Sequence, residues 1–236
     1  MTSIIHRSET RGHANHGWLD TYHTFSFGMY HEPSRIHFGM LRVLNDDFVI
    51  GGAGFGKHGH DNMEIISIPL QGSLAHSDST GNEGIISTGD VQIMSAGSGI
   101  QHAEYNASET EFVNFLQLWI FPKERNISPR YDQLTFTKEQ LRNRLYNIVS
   151  ATEKEGTLWI NQDAELYLGE FDATIDISHA IKSANHGIYV FVIEGSVTIG
   201  DITLNKRDGI GIYDVDFVLG TVHEQSKILL IEVPMK

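Results

Sequence analysis

Short apolar runs alternate along most of this chain with residues that form turns. Runs such as MEIISIPLQGSL, EFVNFLQLWIFP, GIYVFVIEGSVTIG and SKILLIEVP have the length of strands and are rich in isoleucine, valine and phenylalanine. Glycine, Asn-Asp and Asp-Gly pairs separate these runs. Strands of this length with turns at regular intervals favour a β-sandwich or a β-barrel. The pattern therefore predicts an all-β fold.

One segment has a helical pattern instead. In TKEQLRNRLYNIVS, Thr137 and Gln140 match a capping box at a helix N-terminus. Leu141, Leu145 and Ile148 then follow at helical spacing. The segment predicts a short helix in the connection between two β units.

The two halves of the chain resemble each other in the order of their features. IISIPLQGSLAH in the first half and VFVIEGSVTIG in the second each contain a hydrophobic strand that ends at a glycine, Gly72 or Gly195. Each half also closes with an apolar strand that ends in proline, at Pro122 and Pro234. Matched elements in the same order indicate a duplicated β unit.

Composition excludes several classes of site and partner. The 236 residues include no cysteine, so the chain has no disulfides and no thiolate metal site. The formal net charge is −13 and no basic run occurs, which argues against direct nucleic-acid binding. The N-terminus lacks an apolar signal-peptide core, and no apolar stretch is long enough for a membrane span. We therefore expect a cytoplasmic protein.

Two pairs of residues have the composition of a metal site. His58 and His60 lie two residues apart, and His102 and Glu104 repeat the same spacing after a glycine-containing turn. On a strand, residues i and i+2 face the same side about 6.6–6.8 Å apart, so each pair can bind one ion. Histidine is the commonest protein ligand of transition metals. The two pairs predict one metal site with four protein ligands.

The donor set limits the metal that this site could hold. Three imidazoles and one carboxylate suit a divalent transition metal better than magnesium or calcium. Fe(II) is the expected ion, and Ni, Mn, Cu, Co and Zn stay open as alternatives. Four protein ligands would leave one or two coordination positions for water, oxygen or a substrate.

These residues resemble the cupin superfamily and, within it, the pirin family. Gly52, His58, His60, Glu64 and Gly72 match the first cupin element, although the spacing around the glutamate differs from the commoner one. In pirins that glutamate is not a ligand, and an H-x-E pair in the second element supplies the carboxylate instead. The resemblance extends over almost the whole chain, including HANHGWLDTYHTFSFGMYHEP, GMLRVLNDD, GHDNMEIISIPLQGSLAHSDS and VQIMSAGSGIQHAEYN.

The resemblance implies a monomeric bicupin in which two antiparallel jelly-roll barrels pack face to face. The expected units are an N-terminal metal-binding barrel at 1–122, a linker with the short helix at 123–150 and a metal-free barrel at 151–236. The end of the chain could add a strand to either barrel. Counting from the matched glycines puts the second-half equivalents of the ligands at Ile181, Ser183, Val222 and Glu224. These residues do not form a ligand set.

Residues near the ligands are harder to assign. Glu64 has the same parity as the histidine pair and is expected beside the metal site. Four phenylalanines are expected to line a pocket there or to fill the barrel: Phe25, Phe27, Phe55 and Phe115. Most histidines near the N-terminus are expected to be hydrogen-bonded or on the surface, and the tryptophans to be core residues: His16, His23, His31, His37, Trp18, Trp119 and Trp159.

Two functions remain open at this point. Some bacterial pirins resemble quercetinases, which cleave the central ring of a flavonol with O2 and release carbon monoxide. In such a reaction Glu104 would be both a ligand and the general base for the 3-hydroxyl group. Other pirins resemble non-enzymatic, redox-sensitive co-regulators that bind protein partners. A metal-dependent isomerase or hydrolase, which cupins also include, is not favoured by any residue.

Overall fold

The computed structural model describes all 236 residues, and strands dominate it. The first twelve strands are β1 (Thr2–His6), β2 (Gly12–Asn15), β3 (Leu19–His23), β4 (Leu41–Val49), β5 (Gly54–His60), β6 (Glu64–Gln71), β7 (Ser73–Asp78), β8 (Glu83–Ser87), β9 (Asp90–Ser95), β10 (Ile100–Asn106), β11 (Val113–Ile120) and β12 (Arg130–Thr135). After the helix α1 (Lys138–Leu141) come β13 (Tyr146–Ser150), β14 (Leu158–Trp159), β15 (Glu165–Phe171), β16 (Ile175–Ala180), β17 (His186–Glu194), β18 (Ser196–Ile199), β19 (Ile202–Asn205), β20 (Gly209–Tyr213), β21 (Phe217–Val222) and β22 (Ser226–Pro234). A short 3₁₀ turn at Ser8–Thr10 follows β1.

Each half of the chain forms one seven-stranded sheet and one four-stranded sheet. In the first half the orders are β12-β9-β6-β11-β4-β3-β2 and β5-β10-β7-β8. In the second half they are β1-β20-β17-β22-β15-β13-β14 and β16-β21-β18-β19. Both halves are jelly-roll sandwiches with open sheets rather than closed barrels. The prediction of an all-β fold with two cupin units is confirmed.

The matching strand order supports the predicted duplication. Strands β9, β6, β11 and β4 lie side by side in the first large sheet, as β20, β17, β22 and β15 do in the second. Gly72 and Gly195 end corresponding strands, and their φ angles of 76° and 72° are nearly the same. Such angles favour glycine, so both halves use one turn geometry at this point.

The sheets cross the predicted unit limits at three points. Strand β1, at the N-terminus, pairs with β20 of the second half. Within the predicted linker, β12 pairs with β9 of the first half and β13 pairs with β15 of the second half. The C-terminal strand β22 lies inside its own half, between β17 and β15. Each half therefore pairs with the strand that precedes the other half along the chain, namely β12 in the first half and β1 in the second. The sequence did not indicate this arrangement.

The connecting helix is present but shorter than its spacing predicted. Thr137 and Gln140 form the predicted reciprocal capping box. The helix ends at Leu141, and Asn143 has a left-handed φ of 57° that turns the chain. The predicted helical continuation to Ile148 is wrong, because that residue lies in β13 and the strand pairs with β15. No helix of the structure has the length and apolar character that a membrane crossing requires.

The two large sheets pack against each other through a shared apolar core. This core joins side chains of the first half such as Ile66 and Leu116 to side chains of the second half such as Phe191 and Ile231. A separate aliphatic core fills the interior of the second sandwich. The face-to-face arrangement therefore covers the outer side of each large sheet with the other half.

A buried ionic cluster also joins the halves. Arg207 of the second half donates from Nε to Asp46 Oδ2 at 2.7 Å and from Nη2 to Asn114 Oδ1 at 3.2 Å. It also donates to the carbonyl of Ile193. Arg11 lies 3.5 Å from the same carboxylate oxygen of Asp46. The Asp46 charge is thus fully enclosed by cations and an amide at the junction.

We predict that Arg207→Ala lowers the free energy of unfolding by about 3–5 kcal/mol, because it leaves the buried Asp46 carboxylate without its main partner. Denaturant unfolding followed by circular dichroism measures this loss. Lys206→Ala is the matched control, since Lys206 forms an exposed ion pair with Glu194 and should cost no more than about 1 kcal/mol. Equal losses for the two variants would contradict the structural role assigned to the buried cluster.

Candidate metal centre

Two neighbouring strands carry the predicted ligands. Strands β5 and β10 pair antiparallel, with His58 directly opposite His102 and His60 opposite Ile100. Alternation on each strand turns the three imidazoles to the same side. The register between β5 and β10 shifts between His102 and Glu104, where β5 contains one extra residue. The pairing of β10 with β7 has no such shift, so Glu104 stays on the same side of β10 as His102.

The structure brings the three histidines together. The ring centroids of His58 and His102 are 4.4 Å apart, those of His58 and His60 are 4.9 Å apart, and those of His60 and His102 are 5.0 Å apart. One nitrogen from each ring lies within 4.8 Å of the other two. Nitrogen atoms at these separations can approach one ion with small side-chain movements.

Glu104 belongs to a second, overlapping group. Its carboxylate lies with the rings of His76 and His102, again with ligand atoms within 4.8 Å of one another. Gln117 Nε2 donates to Glu104 Oε2 at 2.9 Å, and Ser67 Oγ donates to Oε1 at 3.2 Å. The four predicted ligands are therefore arranged as two groups that share His102.

Burial keeps the imidazoles of His60 and His102 neutral. It lowers the pKa of His102 to about 3 and that of His60 to about 4, with further lowering from the neighbouring histidines. Burial also raises the pKa of Glu104, against the hydrogen bonds that lower it. Neutral imidazoles present free lone pairs, which is the form that binds a metal ion.

His102 is the clearest sign that the chain alone does not complete the site. The residue is 2% exposed, and neither of its ring nitrogens has a hydrogen-bond partner. Buried polar atoms without a partner are rare and need an explanation. His58 bonds through Nδ1 to the carbonyl of Gly56 at 2.8 Å, which leaves its Nε2 free. These donors fit a divalent transition metal.

A cavity of about 620 Å³ adjoins the histidines. Its size is within the roughly 300–1,000 Å³ range of small-molecule sites. Part of its lining is apolar and aromatic, and Trp119 meets His60 edge-on with ring centroids 4.9 Å apart. The rest of the lining is polar. The apolar lining residues include Leu19, Phe27, Met29, Tyr30, Phe55 and Trp119, and the polar ones include Thr21, His23, Asn45, Asp47 and Gln117.

Phe27 and Phe55 line this cavity. Phe25 and Phe115 are core residues, which was the alternative left open for them, whereas the position of Glu64 corrects the expectation that it lies beside the metal site. Glu64 accepts hydrogen bonds from Ser95 and from a backbone N–H of the second half, since it lies on the opposite face of β6 from Ser67. Phe25 packs on Tyr189 of the second half, and Phe115 lies in the core of the first: their rings are 1% and 0% exposed.

Several residues of the site were not identified from the sequence. His76, Gln117 and Trp119 all approach the ligands, and Trp119 had been expected in the core. His23 is hydrogen-bonded to Asn45, one of the two expected states, but its position in the cavity lining was not predicted. A signal was present, since Thr21 and His23, like Asn45 and Asp47, are polar residues two apart within otherwise strand-like segments.

Strand pairing also corrects the second-half equivalents of the ligands. Val222 pairs with Val197 in the second half, just as Asn106 pairs with Leu74 in the first. Leu74 lies two residues after Gly72, and Val197 lies two residues after Gly195. Val222 therefore corresponds to Asn106, so counting along the chain had shifted the equivalents by several residues.

With this register, the ligand positions of β10 correspond to Val218 and Gly220 in the second half. The residue paired with Val218 is His179, at the place of His58. His179 Nε2 donates to Glu232 Oε2 at 2.8 Å, so this nitrogen is used within the chain. Both groups of candidate metal donors lie in the first half.

Comparisons with known proteins agree with this arrangement. The Pirin family model matches residues 5–120, and the model described as the quercetinase C-terminal cupin domain matches residues 147–233. A protein of Escherichia coli K12 named quercetin 2,3-dioxygenase is 40% identical over 230 residues, 98% of either chain. A pirin-like protein of Caulobacter vibrioides is 36% identical over 94% of this chain and 95% of its own. The crystal structure of bacterial pirin YhhW from Escherichia coli in complex with nickel(II) has a TM-score of 0.93 and 38% identity over 99% of both chains.

We predict that the metal-free protein loses stability as the pH falls from about 6.5 towards 4. Unfolded histidines take up protons below about pH 6.5, whereas His60 and His102 resist protonation in the folded chain, with pKa values of about 4 and about 3. The unfolded state then binds more protons, so acid favours unfolding. Denaturant midpoints of chelator-treated protein between pH 7.5 and 4.5 measure the loss.

His102→Leu should make this loss smaller, because it removes one titrating imidazole. His31→Leu, at an exposed position, should leave the pH dependence as in the unsubstituted protein. The same pH dependence in His102→Leu and in the unsubstituted protein would contradict the prediction.

Proposed function

The chain belongs to the pirin family, and from that premise we propose that it is a metal-dependent dioxygenase that cleaves the central ring of a flavonol such as quercetin, with O2 as co-substrate and carbon monoxide as a product. The observation that carries the proposal is a buried carboxylate and a cluster of three imidazoles that share His102, beside a cavity with aromatic walls. The names of the Escherichia coli relative and of the C-terminal family model support the same reaction class.

We propose His58, His60, His102 and Glu104 as the ligands and Fe(II) as the ion. Nitrogen and oxygen donors of this kind accept several divalent metals, and the nickel complex of the Escherichia coli pirin shows that a relative binds one of them. When bound, the ion would supply a Lewis acid for the flavonol 3-oxygen and a redox centre for oxygen chemistry. Ni, Mn, Cu, Co and Zn remain alternatives.

Glu104 is the residue that we assign to proton transfer. Its burial raises the pKa of the carboxyl group, which makes the carboxylate a stronger base for the 3-hydroxyl proton of a flavonol. Gln117 and Ser67 each donate a hydrogen bond to one carboxylate oxygen and so hold its orientation. The same carboxylate would thus serve as ligand and as general base.

The walls of the cavity suit a flat aromatic substrate. Phe27 and Trp119 meet edge to face, with ring centroids 5.3 Å apart, and both lie beside the histidines. Aromatic side chains of this kind bury flat rings and exclude water from the reacting bond. The N-terminal segment that carries Phe27 therefore contributes to the substrate site as well as to the fold.

We predict that Glu104→Gln lowers kcat for quercetin consumption by about 10²–10⁴-fold, because the amide cannot accept the 3-hydroxyl proton. Quercetin absorbance, oxygen uptake and carbon monoxide release are measured on protein loaded with Fe(II), Ni(II) or Mn(II). Removal of the metal with a chelator should abolish turnover.

Glu64→Gln is the matched control, since it makes the same change at a buried glutamate that faces away from the cavity. It should keep the activity of the unsubstituted protein. Full activity of Glu104→Gln, or of chelator-treated protein, would overturn the proposed mechanism.

A further inference from the structure

The cavity has a polar side that the proposed reaction does not use. Thr21 and His23 of β3 face Asp47 and Asn45 of β4 in register, and all four side chains are buried and line the cavity. We call these four residues the polar wall. The corresponding interior of the second sandwich is filled by aliphatic residues such as Val190. The fold itself therefore does not require polar residues at this place.

Hydrogen bonds within the polar wall use one oxygen of the Asp47 carboxylate and one ring nitrogen of His23. Thr21 Oγ1 donates to Asp47 Oδ1, and no group of the chain donates to Asp47 Oδ2. His23 Nδ1 lies 3.0 Å from Asn45 Oδ1, so this nitrogen carries the hydrogen and His23 Nε2 is left as an acceptor. Two acceptor atoms without partners are thus presented by residues that line the cavity.

Burial sets the charge states of these groups. It lowers the pKa of His23, so its ring is neutral and Nε2 carries a lone pair. Burial raises the pKa of Asp47 to about 7, because few groups of the chain stabilise its charge, so the ionised form that only accepts hydrogen bonds predominates above that pH. A carboxylate in such a place gains most from donors that a ligand brings.

The polar wall lies close to the reaction site. Asn45 of the wall is the cross-strand partner of Gln117, which in turn donates to Glu104. The side chain of Gln117 therefore connects the strand next to the wall with the carboxylate assigned to proton transfer. A flat ligand held at the metal by one oxygen can reach the wall with groups on its far side, because both line one cavity of about 620 Å³.

We propose that the polar wall binds hydroxyl groups of the substrate, with Asp47 Oδ2 and His23 Nε2 as acceptors, and so selects polyhydroxylated flavonols over those that carry only the 3-hydroxyl group. This inference rests on the proposed function. A substrate without these hydroxyl groups leaves buried acceptors unpaired after water is displaced, and sites built in this way discriminate strongly.

Asp47→Asn is the central test, because the amide keeps an oxygen for Thr21 and presents an N–H donor where the acceptor stood. The ligands are quercetin and 3-hydroxyflavone, which has no other hydroxyl group. Kd is measured by fluorescence titration on Ni(II)-loaded protein under nitrogen, and kcat/KM is measured in air. We expect the preference for quercetin over 3-hydroxyflavone to fall by about 10- to 100-fold in both measurements.

Two further variants support this test. Thr21→Val removes the hydrogen bond that orients Asp47 and should also reduce the preference, by less than Asp47→Asn does. Asp201→Asn makes the same chemical change in an exposed turn of the second half and should leave the preference unchanged. Thermal unfolding of each variant establishes that the protein is folded.

The outcomes separate this inference from the proposed function. Turnover of quercetin with a preference that Asp47→Asn and Thr21→Val do not alter would overturn the inference and leave the function in place. An Asp47-dependent preference in binding, with no turnover of either flavonol, would support the wall and overturn the dioxygenase. Binding of neither flavonol to the metal-loaded protein would overturn the inference as well.

Discussion

The need to satisfy polar groups inside a sandwich governs the first half of this protein. A sandwich interior is normally filled with aliphatic side chains, but here carboxylates, amides and imidazoles replace them, and each must find a partner. Ser67 and Gln117 provide partners for Glu104, and Thr21 provides one for Asp47. His102 keeps two buried nitrogens without any. The chain alone cannot satisfy this interior, which is the physical basis for assigning it to a metal ion and a ligand.

The second half has the same topology with fewer unpaired buried polar groups. Its strands follow the same order, most of its interior is aliphatic, and its buried Glu232 accepts hydrogen bonds from His179 and His186. This half also covers the outer face of the large sheet that carries Asn45 and Gln117 on its inner face. Apolar burial in the second sandwich and at the junction compensates for the apolar contacts that the polar interior of the first does not make. The second half thus supplies much of the apolar burial, while the first half contains the candidate metal donors and the cavity.

Features that depend on one strand could be predicted from the sequence, whereas features that depend on pairing between distant strands could not. The spacing of His58 with His60 and of His102 with Glu104 is a property of single strands, and the structure turns the three histidines to one place. The same parity failed for Glu64, because Asn62, with a left-handed φ of 47°, reverses the chain between β5 and β6 and the alternation starts anew. Counting along the chain also failed in the second half, where register depends on pairing between strands. Exchange of β1 between the halves has no local signal.

Asp46 and Asp47 connect these two levels of organisation, because neighbouring residues of a strand face opposite sides. Asp46 points into the junction, where Arg207 and Arg11 keep its charge enclosed, while Asp47 points into the cavity. Burial is the main reason that the pKa of Asp47 is raised, and the charges of Asp46 and Glu104 raise it further. Arg207 therefore fixes the position of Asp46 on β4, and Asp46 is one of the charges that raise the pKa of Asp47. By this contact the half without metal donors helps to set the polarity of the cavity in the other.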